Sequence, residues 1–379
     1  MFPRLSTVFR YATLLVLIVV SAIMIFQLGT NSDVTSEEII LPMEVYDVEP
    51  IRRGDIMTSL PKHTARSTTA IEDDSTDGHQ HKSANPHSFE YRINPVTQCA
   101  GQEVFLVTYV HSAPANFKKR QTIRETWGHH TILKRHNVRV VFIMGTVPEA
   151  YVMNMVDMEA NRYGDIVQEN FVDSYRNLTH KAIAGIKWVS SYCPNAKFVL
   201  KTDDDILVNF HTFLEFIKST VQKAYGTKGL IVCNQWIRMK VMRDKRSKWY
   251  IPKEDFPEDY FPPYCSGSAY LMSADVVDGM YKASMTTPFF WVDDYYITGM
   301  LIQRLNLTHR RYNQAYILNP GVVVDKFNND KENSLVFFHV HKLRTMYQLW
   351  RNMTMKHLHK MSLSGSVTKP FRPSSTRSV

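Results

Sequence analysis

The chain has 379 residues, 44% of them hydrophobic and 12% aromatic, enough to bury a sizeable core and to exclude a chain that is disordered throughout. Its 45 Lys and Arg against 36 Asp and Glu give a formal net charge of +9. These basic residues are scattered rather than gathered into a stripe, which argues against nucleic acid as a partner.

Residues 11–28 carry no charge. A helix of that length spans ~27 Å, close to the hydrocarbon thickness of a bilayer. Arg4 and Arg10 precede it, and Asp33, Glu37 and Glu38 follow it. The positive-inside rule therefore predicts a single-pass type II signal-anchor, with residues 1–10 in the cytosol and the rest across the membrane. The alternative, a cleaved signal peptide, fits less well, because the apolar run is long and no small-x-small site follows. Residues 29–95 are rich in Ser, Thr, Pro and acidic residues without sustained periodicity, and are expected to form a flexible luminal stem.

A folded domain is expected over 96–360. Residues 104–110 and 138–144 read as buried strands, the second stopped by Gly145. Residues 116–127 and 149–163 read as helices. A short strand near Ile166 and Val167, a long helix over 175–192 and a strand over 198–200 follow. Strands alternating with helices imply an α/β fold with a parallel, Rossmann-like sheet. The second half is less regular. Strands are expected at 230–233, 268–272 and 334–341, helices at 293–305 and 347–355, and an aromatic, proline-rich loop at 248–265. Residues 361–379 read as a disordered basic tail.

The four cysteines, Cys99, Cys193, Cys233 and Cys265, all lie beyond the anchor. An even number suits an oxidising lumen, and spacing alone leaves three pairings open. No CxxC spacing calls for zinc. Asn-x-Thr sequons at Asn177, Asn306 and Asn352 add to a glycosylated luminal reading.

The apolar run Phe198-Val199-Leu200 leads into Asp203-Asp204-Asp205. Three adjacent carboxylates at a strand end repel one another and are costly to dehydrate unless a cation neutralises them. A hard divalent cation is the natural partner, and ligands collect at the carboxyl ends of strands in open α/β sheets. The plain alternative is a solvated acidic turn. A second pair, Asp293-Asp294, heads a helix. It serves either as a helix cap or as a general base for a hydroxyl. His339 and His341 follow the apolar run Leu335-Val336-Phe337-Phe338, and alternation puts both on one face. Either can supply nitrogen to an oxygen-lined site of the kind Mn²⁺ takes.

Several segments together resemble the β1,3-galactosyltransferase / β1,3-N-acetylglucosaminyltransferase family. RQTIRETWG at 120–128 is similar to R-x-x-I-R-x-T-W-G. FVDSYRNLTHK at 171–181 is similar to F-x-D-x-Y-x-N-L-T-x-K. FVLKTDDD at 198–205 is similar to F-x-x-K-x-D-D-D, and FPPYCSGSAY at 261–270 to Y-P-P-Y-C-S-G-x-G-Y. Asp293-Asp294 falls where the family carries E-D-V. The resemblance implies an inverting enzyme of GT-A fold with a UDP-sugar donor, a Mn²⁺-type cofactor, a glycan acceptor and a Golgi location.

Carried over by position, the resemblance makes Asp294 the catalytic base and Asp205 a metal ligand. His339 is the second metal ligand by its spacing to Met346 and Trp350, with His341 as fallback. Asp203, Asp204, His111, Arg120, Arg124, Asp173 and Lys181 would line the donor site. Trp249, Tyr264 and Gly267 would meet the acceptor. Asp293 for Glu, Tyr295 for Val and Ala269 for Gly depart from the family pattern and leave acceptor choice open. So does the donor sugar, galactose or N-acetylglucosamine. A catalytically silent glycan-binding member is the alternative. A P-loop phosphotransferase is disfavoured, since no G-x-x-x-x-G-K-[ST] occurs.

Overall fold

The computed structural model describes residues 87–363. The expected anchor at 11–28 and most of both the stem and the basic tail lie outside the described residues. Among the described residues, no helix is long and apolar enough to cross a membrane.

Among the described residues, eleven strands form two sheets. They are β1 (Tyr91–Ile93), β2 (Val104–His111), β3 (Val138–Thr146), β4 (Ile166–Val172), β5 (Ala196–Asp203), β6 (Ile206–Val208), β7 (Ile231–Trp236), β8 (Tyr264–Ser273), β9 (Arg310–Arg311), β10 (Tyr316–Ile317) and β11 (Phe337–His339). The large sheet runs β1-β4-β3-β2-β5-β8-β7-β9. Its centre, β4-β3-β2-β5, is parallel. β8 joins β5 antiparallel, and β7 joins β8 antiparallel. The expected parallel sheet is therefore correct for the first half and incomplete for the second, where β8 runs antiparallel to both of its neighbours.

The continuous apolar runs follow from burial on both faces. Phe198 and Leu200 enter one core layer, and Val199 the other, as the period of two requires. One layer is covered by α1 (Phe117–Glu125), α2 (His130–Arg135), α3 (Ala150–Tyr163), and later α5 (Phe210–Phe216), α8 (Val323–Asn329) and α9 (Leu343–Leu363). The other is covered by α4 (Leu178–Tyr192) and α6 (Ala274–Ser284). α7 (Asp293–Tyr295) continues through a π turn, Tyr296–Leu301, into Ile302–Arg304.

Several boundaries shift. The stem expected to end at 95 overlaps the fold, because β1 pairs with β4 and His87 is buried against Ser284. β3 runs through Gly145, which does not stop it. A Cβ on Gly145 would stand 2.5 Å from the Phe171 carbonyl oxygen, so the close approach of β4 requires glycine there. The late strand shrinks to β11, while the closing helix lengthens to α9 and reaches past the expected domain end at 360.

Two disulfides form, Cys99–Cys193 and Cys233–Cys265. The second ties β7 to β8 at the base of the loop 237–263. It closes a separation of 32 residues, so replacing both cysteines by serine should cost about 2–4 kcal/mol. A melt followed by circular dichroism should show a clear fall in Tm; an unchanged Tm would mean that the bridge does not hold this corner.

Candidate active site

β2 and β5 end side by side, with His111 opposite Asp203 in register. Their carboxyl ends open into a cleft of about 340 Å³. Among its walls are His111, Lys181, the whole triplet Asp203, Asp204 and Asp205, Gly267, Asp293, Asp294 and His339. The fold thus gathers residues from six separated segments at one strand-end crevice.

Each member of the triplet has a different job. The Asp203 carboxyl accepts from Lys201 at 2.7 Å and lies 4.0 Å from His111 Nδ1. Desolvation in the cleft, opposed by Lys201, pushes it up to about 6, although the side chain keeps 38% exposure to the opening. Asp204 is buried and saturated. Its carboxyl accepts from Ser112 and Asn116 at 2.8 Å each and from Lys119 at 2.9 Å. Burial works against the Asp205 anion, but His339 and Lys119 prevail and hold it at about 2.

His339 reaches Asp205 by a long-range closure. β6 pairs antiparallel with β11, and His339 stands opposite Ile206. Its Nδ1 donates to the Leu318 carbonyl at 3.1 Å, which turns Nε2 toward Asp205 Oδ2 at 3.7 Å, beyond hydrogen-bond range. Contact with the Asp205 anion raises His339 above its usual value. His341 lies past the end of β11, is exposed and does not line the cleft, so strand alternation does not carry it in. Among the described residues, no three His, Cys, Asp or Glu side chains form a complete metal cage. A carboxylate and an imidazole nitrogen that gives up its proton to a metal do suit a cation that takes its remaining ligands from a bound phosphate.

On the opposite side, Asp294 Oδ2 accepts from the Gly267 backbone N–H at 2.9 Å. Thr298 fixes the start of this helix by donating to the Asp294 carbonyl and accepting from the Cys265 N–H at 2.8 Å. Burial first, and then the Asp293 charge, raise Asp294 well above the ordinary carboxylate range. Burial likewise raises Asp293. Lys201, only 1% exposed, donates to both Asp203 and the Gly267 carbonyl and ties the two acidic groups together. Its charge opposes the rise of all three nearby carboxyls.

His111 is buried. Desolvation, then the charges of Lys201 and Lys181, hold it well below its usual value, so the ring is neutral. Its Nε2 is buried without a hydrogen-bond partner among the described residues, an orphan that a bound ligand would satisfy. Lys181 lines the cleft and donates to Asp173 and the Ser112 carbonyl at 2.9 Å each. Asp173 lies behind it and also takes the Gly145 N–H at 2.8 Å.

Arg120 and Arg124 do not line the cleft. Arg120 is fully buried and spends its guanidinium on Glu159, Ser112 and the carbonyls of Ala113 and Pro114. It therefore positions the loop that does line the cleft. Arg124 bonds Glu159 and Asp165. Tyr264 packs among Phe261 and Tyr295 in a separate aromatic cluster. Trp249 stands at the rim and donates its indole N–H to Tyr175, which does line the cleft.

Of the sequon asparagines, Asn306 and Asn352 are exposed. Asn177 donates its amide to the Val172 carbonyl at 2.8 Å, the geometry of a helix start. The sequence reading gave no role to Ser112, Asn116 or Lys119, which hold Asp204. The helix that carries Lys119 signalled only a basic outer face. Nor did it assign Lys201, although a lysine directly after the apolar run Phe198-Val199-Leu200 was itself a signal of a buried ion pair.

The galactosyltransferase family pattern matches residues 118–313. Beta-1,3-galactosyltransferase 1 of Mus musculus and of Homo sapiens is 34% identical over 274 residues, covering 72% of this chain and 81% of theirs. Beta-1,3-galactosyltransferase 5 of Pan paniscus is 33% identical over 257 residues, covering 68% and 83%. A solved glycosyltransferase involved in glycosylation of the major capsid of PBCV-1 overlaps with a TM-score of 0.33 at 7% identity, covering 66% of this chain and 99% of that one. That overlap is too loose to bear on function.

Gly267 is the tightest point of the cleft. A Cβ there would stand 1.8 Å from Asp294 Oδ1. Gly267→Ala should therefore displace the Asp294 carboxylate and, if that carboxylate is the base the sequence leads one to expect, cut turnover at least ~100-fold. Steady-state kinetics beside a thermal melt check this; near-normal turnover in a folded variant would argue against a catalytic role for Asp294.

Proposed function

The chain belongs to the β1,3-galactosyltransferase family, and on that premise we propose that it transfers a hexose from a UDP-sugar to a glycan hydroxyl in β1,3 linkage with inversion. Galactose is the favoured sugar, since the curated relatives above are named for it, with N-acetylglucosamine as the alternative. The observation that carries the reading is one cleft with two ends. Asp205 and His339 stand at one end, and Asp294, fixed by Gly267 N–H, at the other.

Asp294 takes the proton of the acceptor hydroxyl as its oxygen attacks the anomeric carbon, and the UDP leaves from the opposite face. A single displacement turns an α-linked donor into a β product. Asp205 and His339 would hold a Mn²⁺-type ion, which when bound neutralises charge on the departing diphosphate. His111 offers its unpartnered Nε2 to the donor, and Lys181 its ammonium. Asp203, tied to Lys201, faces the sugar or ribose hydroxyls. Arg120, Arg124 and Asp173 act by bracing this wall. The uncharged segment 11–28 supports a type II Golgi anchor, and two disulfides support an oxidising lumen.

The test uses the full-length protein in detergent with Mn²⁺ and a panel of UDP-sugars, following UDP release with and without β-galactoside, GalNAc and mannose acceptors. UDP-galactose should give acceptor-stimulated release that EDTA abolishes. Release that resists EDTA would remove the metal from the reading, and silence with every donor would favour a silent glycan-binding member.

The base also predicts a pH profile. Asp294 must be ionised to accept a proton, and its environment favours the protonated form, so transfer should rise with pH. The acid limb of kcat/KM should lie above the ~4 of a free aspartate, as a property of the Asp293–Asp294 pair. Asp293→Asn removes a repelling charge and should move that limb to lower pH. A limb near 4 in the parent, or no shift in the variant, would argue against Asp294 as the base.

A further inference from the structure

The wall of the cleft at Tyr175 belongs to the 3₁₀ turn Tyr175–Asn177, and the loop 237–263 reaches that wall through Trp249 without lining the cleft itself. The Trp249 indole bonds the Tyr175 hydroxyl at 2.6 Å, so the two aromatic groups are locked together at the rim. Two cations rest on this wall. Lys248 Nζ lies 5.2 Å from the Tyr175 ring centre and 4.9 Å from that of Trp249. The Arg176 guanidinium lies 3.8 Å over the ring of Trp291, which itself precedes the Asp293-Asp294 pair by two positions.

Neither cation has an ion-pair partner among the described residues. Their neighbours differ. Arg243 is spent on the carbonyls of Ile251, Phe256 and Glu258, and Arg246 pairs with Asp244. Residues 238–248 hold six Lys and Arg against one Asp. Base thus collects on the rim, while five aspartates collect on the floor.

The geometry points to a subsite for an anionic group on the acceptor glycan, a carboxylate or a sulfate ester bound by Lys248 and Arg176, with the reacting hydroxyl turned toward Asp294. This rests on the transferase reading of the cleft. An anion is repelled by the floor and attracted by the rim, so an acceptor that is charged at one end has a single favoured orientation. Stacking on the rings holds the two cationic heads in place before binding, which reduces the ordering cost. The arginine fork matches a carboxylate or sulfate through two parallel N–H bonds. The faces of Trp249 and Tyr175 offer stacking to the sugar between.

The full-length protein in detergent, with its preferred UDP-sugar and Mn²⁺, is given three matched disaccharide acceptors. One is neutral, one carries a uronic carboxylate and one a sulfate ester. At least one anionic acceptor should exceed the neutral one about tenfold in kcat/KM, the sum expected of two exposed ion pairs. Which of the two it is identifies the anion. The advantage should shrink as salt is raised, and should vanish in the Lys248→Ala/Arg176→Ala double variant.

Equal rates on all three acceptors overturn the inference, as does an advantage indifferent to salt and to the double variant. An equal fall on neutral and anionic acceptors in that variant makes the two cations structural and overturns it too. Donor hydrolysis without acceptor keeps the two readings separate. If hydrolysis persists while the acceptor preference is absent, only the subsite fails; if no donor is turned over, the transferase reading fails and the subsite with it.

Discussion

A single buried ammonium organises this site. Lys201 sits in the sheet, where a lone charge would be expelled, yet it is held because carboxylates converge on it from two parts of the chain. Asp203 meets it from its own strand, and the Gly267 carbonyl from β8. Gly267 in turn offers its N–H to Asp294. One residue of β8 therefore faces a cation through its carbonyl and an anion through its amide. Removing the ammonium would leave three acids facing one another with no compensation. Removing an acid would strand the ammonium. That mutual dependence fixes the spacing between the two ends of the cleft.

The second constraint is a long-range closure. β6 is too short to be stable alone, and its pairing with β11 brings residues more than a hundred positions apart into register. Asp205 directly precedes β6, and His339 ends β11, so their separation is set by backbone hydrogen bonds rather than by side-chain choice. The Leu318 carbonyl then sets the imidazole tautomer. On the far wall, the disulfide Cys233–Cys265 and the Thr298 hydroxyl hold the start of β8 against the helix that carries Asp294. The chemistry-bearing groups thus stand on rigid elements, and the loops contribute the rim.

What was legible in the sequence follows from locality. β2 and β5 were readable because burial on both faces writes a continuous apolar run, and the triplet was readable because like charges at a strand end need an explanation. β6 and β10 were not, since two- and three-residue strands leave no periodicity to detect, and β11 was read only as a longer run, 334–341. The choice between His339 and His341 depended on where β11 ends, which pairing with β6 decides. Arg120 and Arg124 share the motif of a binding segment, but guanidinium groups at helix spacing look alike whether they face a ligand or an ion pair beneath it. Tyr264 misled for a related reason, since an aromatic next to an acceptor loop packs as readily inward. The start of the fold was missed because β1 earns its place only by pairing with β4.

The charge distribution joins these strands of argument. A net charge of +9 gave no stripe in the sequence, yet folding sorts acid from base locally. The floor gathers Asp203, Asp204, Asp205, Asp293 and Asp294, and the lysines bound there, Lys119 and Lys201, do not balance them. Such a surplus of negative charge disfavours an anionic diphosphate unless a cation accompanies it, so metal and donor would enter as one neutralised unit. Burial first, and then this surplus through Asp293 and Asp203, keeps Asp294 protonated longer than a solvated acid. It loses its proton most readily once positive charge has joined the floor. If Asp294 is the base proposed above, its activation would depend on the charge at the other end of the cleft, felt through the field rather than through any moving part.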